Sequence, residues 1–331
     1  MIKLRKTNQT LSKGLSHEIE TGTGLASRFE IKEFINLVNS KFRVESEYHN
    51  TCEITLEKNR NDLFDGNQTN KDWEKVLEFL HDHKFKPKYI NGVHQSGHHI
   101  HYDISHLSPV QIANIYTSFY QYQEIILLAC GQSRYENHDY VNKLTKTQAE
   151  KVYAFAKAWQ DGRITREGFL NSISGHTWKF YILSTNRIKD FGTLEARFFG
   201  LPLIYDSTDS KKESVNRFIF NGEFFKNLCE YFARFKRLQK VTEDLPQQRL
   251  TTRHLENIEL EYSKKNRFSP KQKKGFKFSF NTIFRNACES ERLYNHMKRR
   301  VLKVISYRND LNHCSWYDKE TIKEIIENHK W

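Results

Sequence analysis

The chain has 331 residues, 37% of them hydrophobic and 14% aromatic, which is enough apolar material for a core and excludes a disordered chain. No apolar run approaches the roughly 18 residues that span a bilayer. The five Cys are dispersed with no CxxC pair, and the basic segment Met1–Lys13 lacks the apolar stretch of a secretory signal, so a reduced, cytoplasmic protein with no membrane partner is expected.

The first feature along the chain is His17-Glu18-Ile19-Glu20. On a strand Glu18 and Glu20 leave the same face. Neighbouring carboxylates repel unless a cation neutralises them, and Mg²⁺, which takes oxygen ligands, suits the pair; a solvated strand face is the plain alternative. Glu53 adds a carboxylate in Cys52–Thr55. Asp72–His83 reads as a short amphipathic helix with Trp73, Val76, Leu77 and Leu80 on one stripe.

The most informative stretch follows, Gln95–Ser105. On a strand, His99 and His101 project from one face while Ile100, and Ile104 beyond it, point into a core. Gly97 lets the backbone approach a ligand closely. Paired imidazoles of this kind bind a metal or touch phosphate. His94, His98 and His106 crowd the region and are read as capping or surface residues.

Ser108-Pro109 then starts a helix through about Ala129, with Gly131 placed to end it. Lys151–Trp159 and Arg166–Leu170 read as helical. Thr177–Leu183 and Gly192–Phe199 read as antiparallel strands joined through Asn186–Asp190. On the second, Glu195 and Arg197 share a face, where carboxylate and guanidinium either pair or divide their work between metal and phosphate. Lys212–Lys240 reads as one long helix whose aromatic face (Phe218, Phe224, Phe225, Tyr231, Phe232, Phe235) packs in a core.

Beyond Leu245-Pro246 the character changes, giving an expected division into 1–245 and a basic, mostly helical 246–331. Ser263–Ser279 reads as a basic loop, and helices near Glu291–Ser306 and Lys319–Asn328 close the chain. The net charge is +13, and 20 Lys/Arg against 8 Asp/Glu fall between Arg234 and Asp310, so this segment carries nearly all the excess. With Phe268, Phe276, Phe278 and Phe280 interleaved, such a field calls for a polyanion, nucleic acid first; a solvated basic face is the alternative.

Taken together, the order of these clusters resembles a known pattern. Ser96–His101 resembles the GSGxHxH-type segment of glutamine synthetase. The wider series resembles the amidoligase family, a branch of the same carboxylate–amine ligase superfamily. The matching residues here are Glu18/Glu20, then Glu53, Gly97/His99/His101, Ser133-Arg134-Tyr135 and Thr193/Glu195/Arg197. The resemblance covers about residues 14–235; where the family carries Gly before its first Glu, this chain has Ser16.

What the resemblance implies is an α+β fold: a glutamine-synthetase-like antiparallel sheet with helices packed on one face, holding ATP and Mg²⁺ on the other. The activity implied is amide formation between a carboxylate and an amine, small-molecule or peptide, through an acyl phosphate. Glu18, Glu20, Glu53, His99 and Glu195 would hold metal, His101 and Arg197 would contact phosphate, and Arg134 would orient the nucleotide or the carboxylate substrate. A rival reading exists. Histidine–hydrophobe–histidine is also the metal motif of rolling-circle and relaxase endonucleases, which cut single-stranded DNA with a tyrosine; Tyr140, in Tyr140-Val141-Asn142-Lys143, would serve with His99 and His101. A zinc site and a non-catalytic fold in which the imidazoles only make hydrogen bonds remain open as well.

Overall fold

The computed structural model describes residues 15–22, 24–38, 42–47, 51–56, 70–86, 89–90, 93–94, 97–130, 142–175, 178, 181–205, 208–241, 270–307 and 319–331. Eight strands are found among them: β1 (Leu15–Thr21), β2 (Phe42–Glu47), β3 (Thr51–Leu56), β4 (Tyr89–Ile90), β5 (Val93–His94), β6 (Gly97–Asp103), β7 (Leu183–Ser184) and β8 (Thr193–Gly200). The helices are α1 (Arg28–Val38), α2 (Asn70–Asp82), α3 (Pro109–Cys130), α4 (Lys146–Gln160), α5 (Arg166–Ile173), α6 (Ile188–Phe191), α7 (Ser210–Ala233), α8 (Pro270–Ala287), α9 (Glu291–Tyr307) and α10 (Lys319–Glu327). The class is α+β, as expected from the sequence. Six strands form one sheet in the order β2-β3-β1-β6-β8-β7, with every pairing antiparallel.

Alternation along the central strands sorts the side chains. Leu15, Ile100, Tyr102, Leu194 and Ala196 join the main hydrophobic cluster with α3 and α7, while Ser16, Glu18, Glu20, His99, His101, Glu195 and Arg197 take the alternate positions. Helix α3 begins where the sequence predicts, with a reciprocal cap. The Gln111 N–H donates to Ser108 Oγ at 3.4 Å and the Ser108 N–H to Gln111 Oε1 at 3.0 Å. Its Ile112, Ile115, Tyr116, Phe119, Ile126 and Leu127 are buried, as is the Trp73, Val76, Leu77 and Leu80 stripe of α2.

Three elements depart from the sequence reading. The long helix ends at Ala233 instead of continuing to Lys240. Asn114 of α3 donates to the Phe235 and Arg237 carbonyls at 2.8 and 3.0 Å and accepts from the Gln239 N–H at 2.9 Å. Those backbone groups are drawn across α3 and away from the helical ladder. The strand expected over Thr177–Leu183 is confined to Leu183–Ser184 among the described residues, and the Trp178 N–H turns back to the Gly175 carbonyl at 3.0 Å. From Pro270 onward the expected basic loop is instead helix α8; residues 263–269 and the expected boundary near 245 lie outside the described residues.

The reason for α8 is a buried stripe hidden among lysines. Phe276, Phe280, Ile283, Phe284 and Ala287 recur at helical spacing and join the same cluster as Ile100, Phe119 and Phe225. Helices α9 and α10 add Leu293, Met297, Val301, Ile322 and Ile326 to it. The carboxy-terminal helices therefore share one core with the helices behind the sheet.

Packing is close where α7 crosses β1. A methyl group at Gly222 would come within 2.7 Å of His17 Cε1, and the His17 ring is held between Phe218 at 4.5 Å and His98 at 5.1 Å. Gly222→Ala is expected to destabilise the protein by about 1–3 kcal/mol, the usual cost of overpacking a core. Urea denaturation measures it, and an unchanged midpoint would contradict the tight crossing.

Candidate metal centre

Antiparallel register assembles the site. Glu18 pairs across with His99, His101 with Glu195, Glu20 with Glu53 and Glu53 with Glu45. Three adjacent cross-strand rows thus lie on one face: Glu45, Glu53 and Glu20; Glu18 and His99; and Ser16, His101 and Glu195. Arg197 lies in β8 opposite the point where the β6–β8 register shifts between His98 and Ile100. Such a bulge re-aims side chains locally.

The central contacts are short. His99 Nδ1 donates to Glu18 Oε1 at 2.6 Å and lies 3.5 Å from Glu195 Oε1, and its Nε2 is 3.4 Å from Glu20 Oε2. A cation bound at Nε2 would leave the ring proton on Nδ1, held by Glu18, the arrangement of a ligating imidazole. His101 Nε2 is 3.7 Å from Glu18 Oε2, and its Nδ1 is 3.1 Å from Thr193 Oγ1. Arg197 Nη1 donates to Glu195 Oε1. His99 is wholly buried, Glu195 is 2% exposed and Arg197 is 8% exposed.

Burial works against both carboxylates by raising their pKa values, and charged neighbours reverse the outcome. His99, with help from His101, holds the Glu18 carboxyl well below its ordinary value. Arg197, His99 and His101 do the same for Glu195, against the repulsion of Glu18. Burial would lower the Arg197 pKa, yet Glu195, Glu20 and Glu18 together raise it. On the helix-facing side of β1, burial and then the charge of His101 push His17 down to about 3, so that imidazole is neutral.

The donor set fits a divalent cation. One ligand atom each from Glu18, Glu20 and His99 lies within 4.8 Å of the others. The nearby Glu195 is matched by Arg197, and Glu18 and Glu20 lie together against His99 in a largely dry place. Carboxylate oxygens suit Mg²⁺ or Mn²⁺, and an imidazole is acceptable to the latter. Three further buried atoms have no hydrogen-bond partner: Ser16 Oγ, Glu195 Oε2 and Arg197 Nε. Buried polar atoms are rarely left unmatched, so their gathering beside the carboxylates points to a polar ligand.

Of the residues selected from sequence, Glu18, Glu20, His99, His101, Glu195 and Arg197 converge. Glu53 is brought beside Glu20 by register and stands outside the close Glu18/Glu20/His99 group. Arg134 and Tyr140 lie outside the described residues. Sequence reasoning missed Glu45, which neighbours Glu53 in the carboxylate row; its only signal was the alternation of Arg43-Val44-Glu45. It named Thr193 without a role; Thr193 Oγ1 lies 3.1 Å from His101 Nδ1. His98, read as a surface or capping residue, is wholly buried and bonded to His17 at 2.9 Å.

No protein-family model matches the chain, and no curated protein matches it either. Among the described residues, no helix is long and apolar enough to cross a membrane.

Millimolar Mg²⁺ or Mn²⁺ is expected to raise the unfolding free energy, by about 2.7 kcal/mol when the ion is at a hundred times its dissociation constant. Glu18→Gln should abolish the gain. Thermal unfolding with and without the ion is the measurement, and an equal gain in the variant would exclude Glu18 as a ligand.

Proposed function

We propose that the protein is an ATP- and Mg²⁺-dependent ligase that joins a carboxylate to an amine. In this reading ATP phosphorylates the substrate carboxylate, and the amine displaces phosphate from the acyl phosphate to form an amide. The observation that carries the reading is the meeting of a carboxylate–imidazole cation group with a buried guanidinium. Glu18, Glu20 and His99 converge within a few ångströms, and Arg197, tied to Glu195, keeps a buried Nε without a partner. Phosphoryl transfer asks a protein for cations and positioning more than for a nucleophile, and this site is rich in such groups.

The roles follow from the chemistry. Glu18, Glu20 and His99 would hold Mg²⁺, with Glu195 and Glu53 in support. Arg197 and His101 would face phosphate oxygens, where a fixed positive charge stabilises the charge that develops during transfer. Arg134 would orient the nucleotide or the carboxylate. The substrates are a small-molecule or peptide acid and an amine. The glutamine-synthetase-like character of the sheet belongs to the same proposal, as does a cytoplasmic setting.

Incubation with ATP, Mg²⁺ and pools of amino acids or polyamines should release ADP and phosphate. Arg197→Ala should lower turnover by about 10²–10³-fold, the usual loss on removing one preorganised charge-stabilising donor, while the far-ultraviolet circular dichroism is unchanged. Mn²⁺-dependent nicking of single-stranded DNA, lost in Tyr140→Phe and unaccompanied by ATP turnover, would replace the ligase with the endonuclease.

The basic segment 234–310 is proposed to engage a polyanion such as nucleic acid. Support comes from Lys274, Lys277 and Arg285, which are exposed on α8 at the spacing of one helical stripe. Because α8 also supplies core phenylalanines, charge reversal tests this better than truncation. Replacing the three with Glu should weaken oligonucleotide binding at least tenfold and flatten its salt dependence, since each phosphate no longer neutralised takes about 0.9 from the slope of log K against log salt. Unchanged retention would remove the proposal.

A further inference from the structure

Three imidazoles at positions 98, 99 and 101 leave β6 open to two readings of its own faces. A one-residue slip would exchange His99 for His98 on the polar side and move every other side chain with it. Its pairing with β8 also shifts register at this point, where two β8 residues, Arg197 and Phe198, stand against His99 alone, so β1 is the neighbour whose pairing with β6 is regular here. Ile100 and Tyr102 favour the observed choice by burying in the core, and a polar chain on the helix-facing side adds a second determinant.

That chain runs from α9 to β1. Arg300 Nη1 donates to Asn221 Oδ1 at 2.6 Å. A guanidinium has donors only, so the Asn221 amide is oriented without ambiguity. Its Nδ2 therefore faces His98 Nδ1, at 3.1 Å, as a donor. His98 Nδ1 accepts, which puts the His98 proton on Nε2, and Nε2 donates to His17 Nδ1 at 2.9 Å. All four side chains are buried, and His98 stacks on Phe218 with ring centroids 4.5 Å apart. The order of donors is thus set from one end, by a residue of the carboxy-terminal helices.

We propose that Arg300 is a positioning residue for the metal centre. Through Asn221 it orients His98. His98 then staples β6 to β1 at His17, on the side of the sheet opposite the Glu18–His99 contact, and the staple fixes the β1–β6 register that sets His99 across from Glu18. The inference rests on the reading of Glu18, Glu20 and His99 as a metal centre. It makes α9 a working part of that centre, although none of its side chains belongs to the ligand set. A buried hydrogen-bonded network behind the ligands is a means by which a fold holds them to the required geometry.

The test uses the full chain and Mn²⁺ as the probe, with affinity read from free-ion electron paramagnetic resonance. Arg300→Met should weaken Mn²⁺ binding at least tenfold, and Arg300→Lys, which keeps a donor, should recover most of it. His98→Phe preserves the stack on Phe218 and breaks the chain independently, so it should weaken binding to the same degree. Val301→Ala, equally buried in α9 and outside the chain, should lower the melting temperature and leave Mn²⁺ affinity unchanged. Nitrogen-15 correlation spectra should place the His98 proton on Nε2 in the wild type. Wild-type affinity in both Arg300→Met and His98→Phe, or an equal loss in Val301→Ala, or a His98 proton on Nδ1, would overturn the positioning role. A wild type that binds no Mn²⁺ would overturn the metal centre itself and the inference with it.

Discussion

The constraint on which this structure turns is the confinement of like charge. Glu18, Glu20 and Glu195 are brought by strand register to within a few ångströms of one imidazole, His99, with Arg197 the guanidinium bonded among them. Carboxylates so placed in a largely water-excluded setting would ordinarily take up protons. Glu18 and Glu195 are instead held ionised by the positive groups around them. A fold that maintains such an arrangement gives up stability locally, and the two hydrophobic clusters behind the sheet supply it. Buried charge of this kind is more readily explained by chemistry than by architecture.

The sheet's two faces divide the labour. The helix-facing side is closed by aromatic packing from α3 and α7 and contains its own polar chain, Arg300–Asn221–His98–His17. The other side collects the ionisable groups. Neighbouring residues on one strand thus serve opposite purposes. His17 is neutral and packed between rings while Glu18 is charged; His98 is tied into the core while His99 contacts three carboxylates. Period-two alternation alone makes this possible, because two adjacent side chains never share a surface.

The same alternation explains what was legible from the amino acids. Glu18/Glu20, His99/His101 and Glu195/Arg197 each stood out as i, i+2 pairs, and all six meet in the structure. Which carboxylate would face which imidazole was not legible, since that depends on pairing between strands far apart in the chain. Glu45 was invisible for the same reason: its importance comes from lying beside Glu53. The misread stretch at α8 failed differently. Lysine density there masked Phe276, Phe280 and Phe284, whose spacing carries the helical signal. His98 was misjudged because a histidine next to a candidate ligand looks like surplus, and only its partners Asn221 and His17 reveal its place.

One consequence of the strand order concerns time. Strand β6 sits between β1 and β8, and its site contacts join residues 81 and 92 positions apart. Closing loops of that size precedes any reward from the contacts they permit, which makes such pairings slow steps in folding. The helices α3 and α7, built from local contacts, can form before the central strands are joined. Glu18 and His99 precede β8 in the chain, so during synthesis both emerge before Arg197 does. A cation of the proposed metal centre would meet only part of its pocket before β8 arrives, so its loading would be coupled to completion of the sheet.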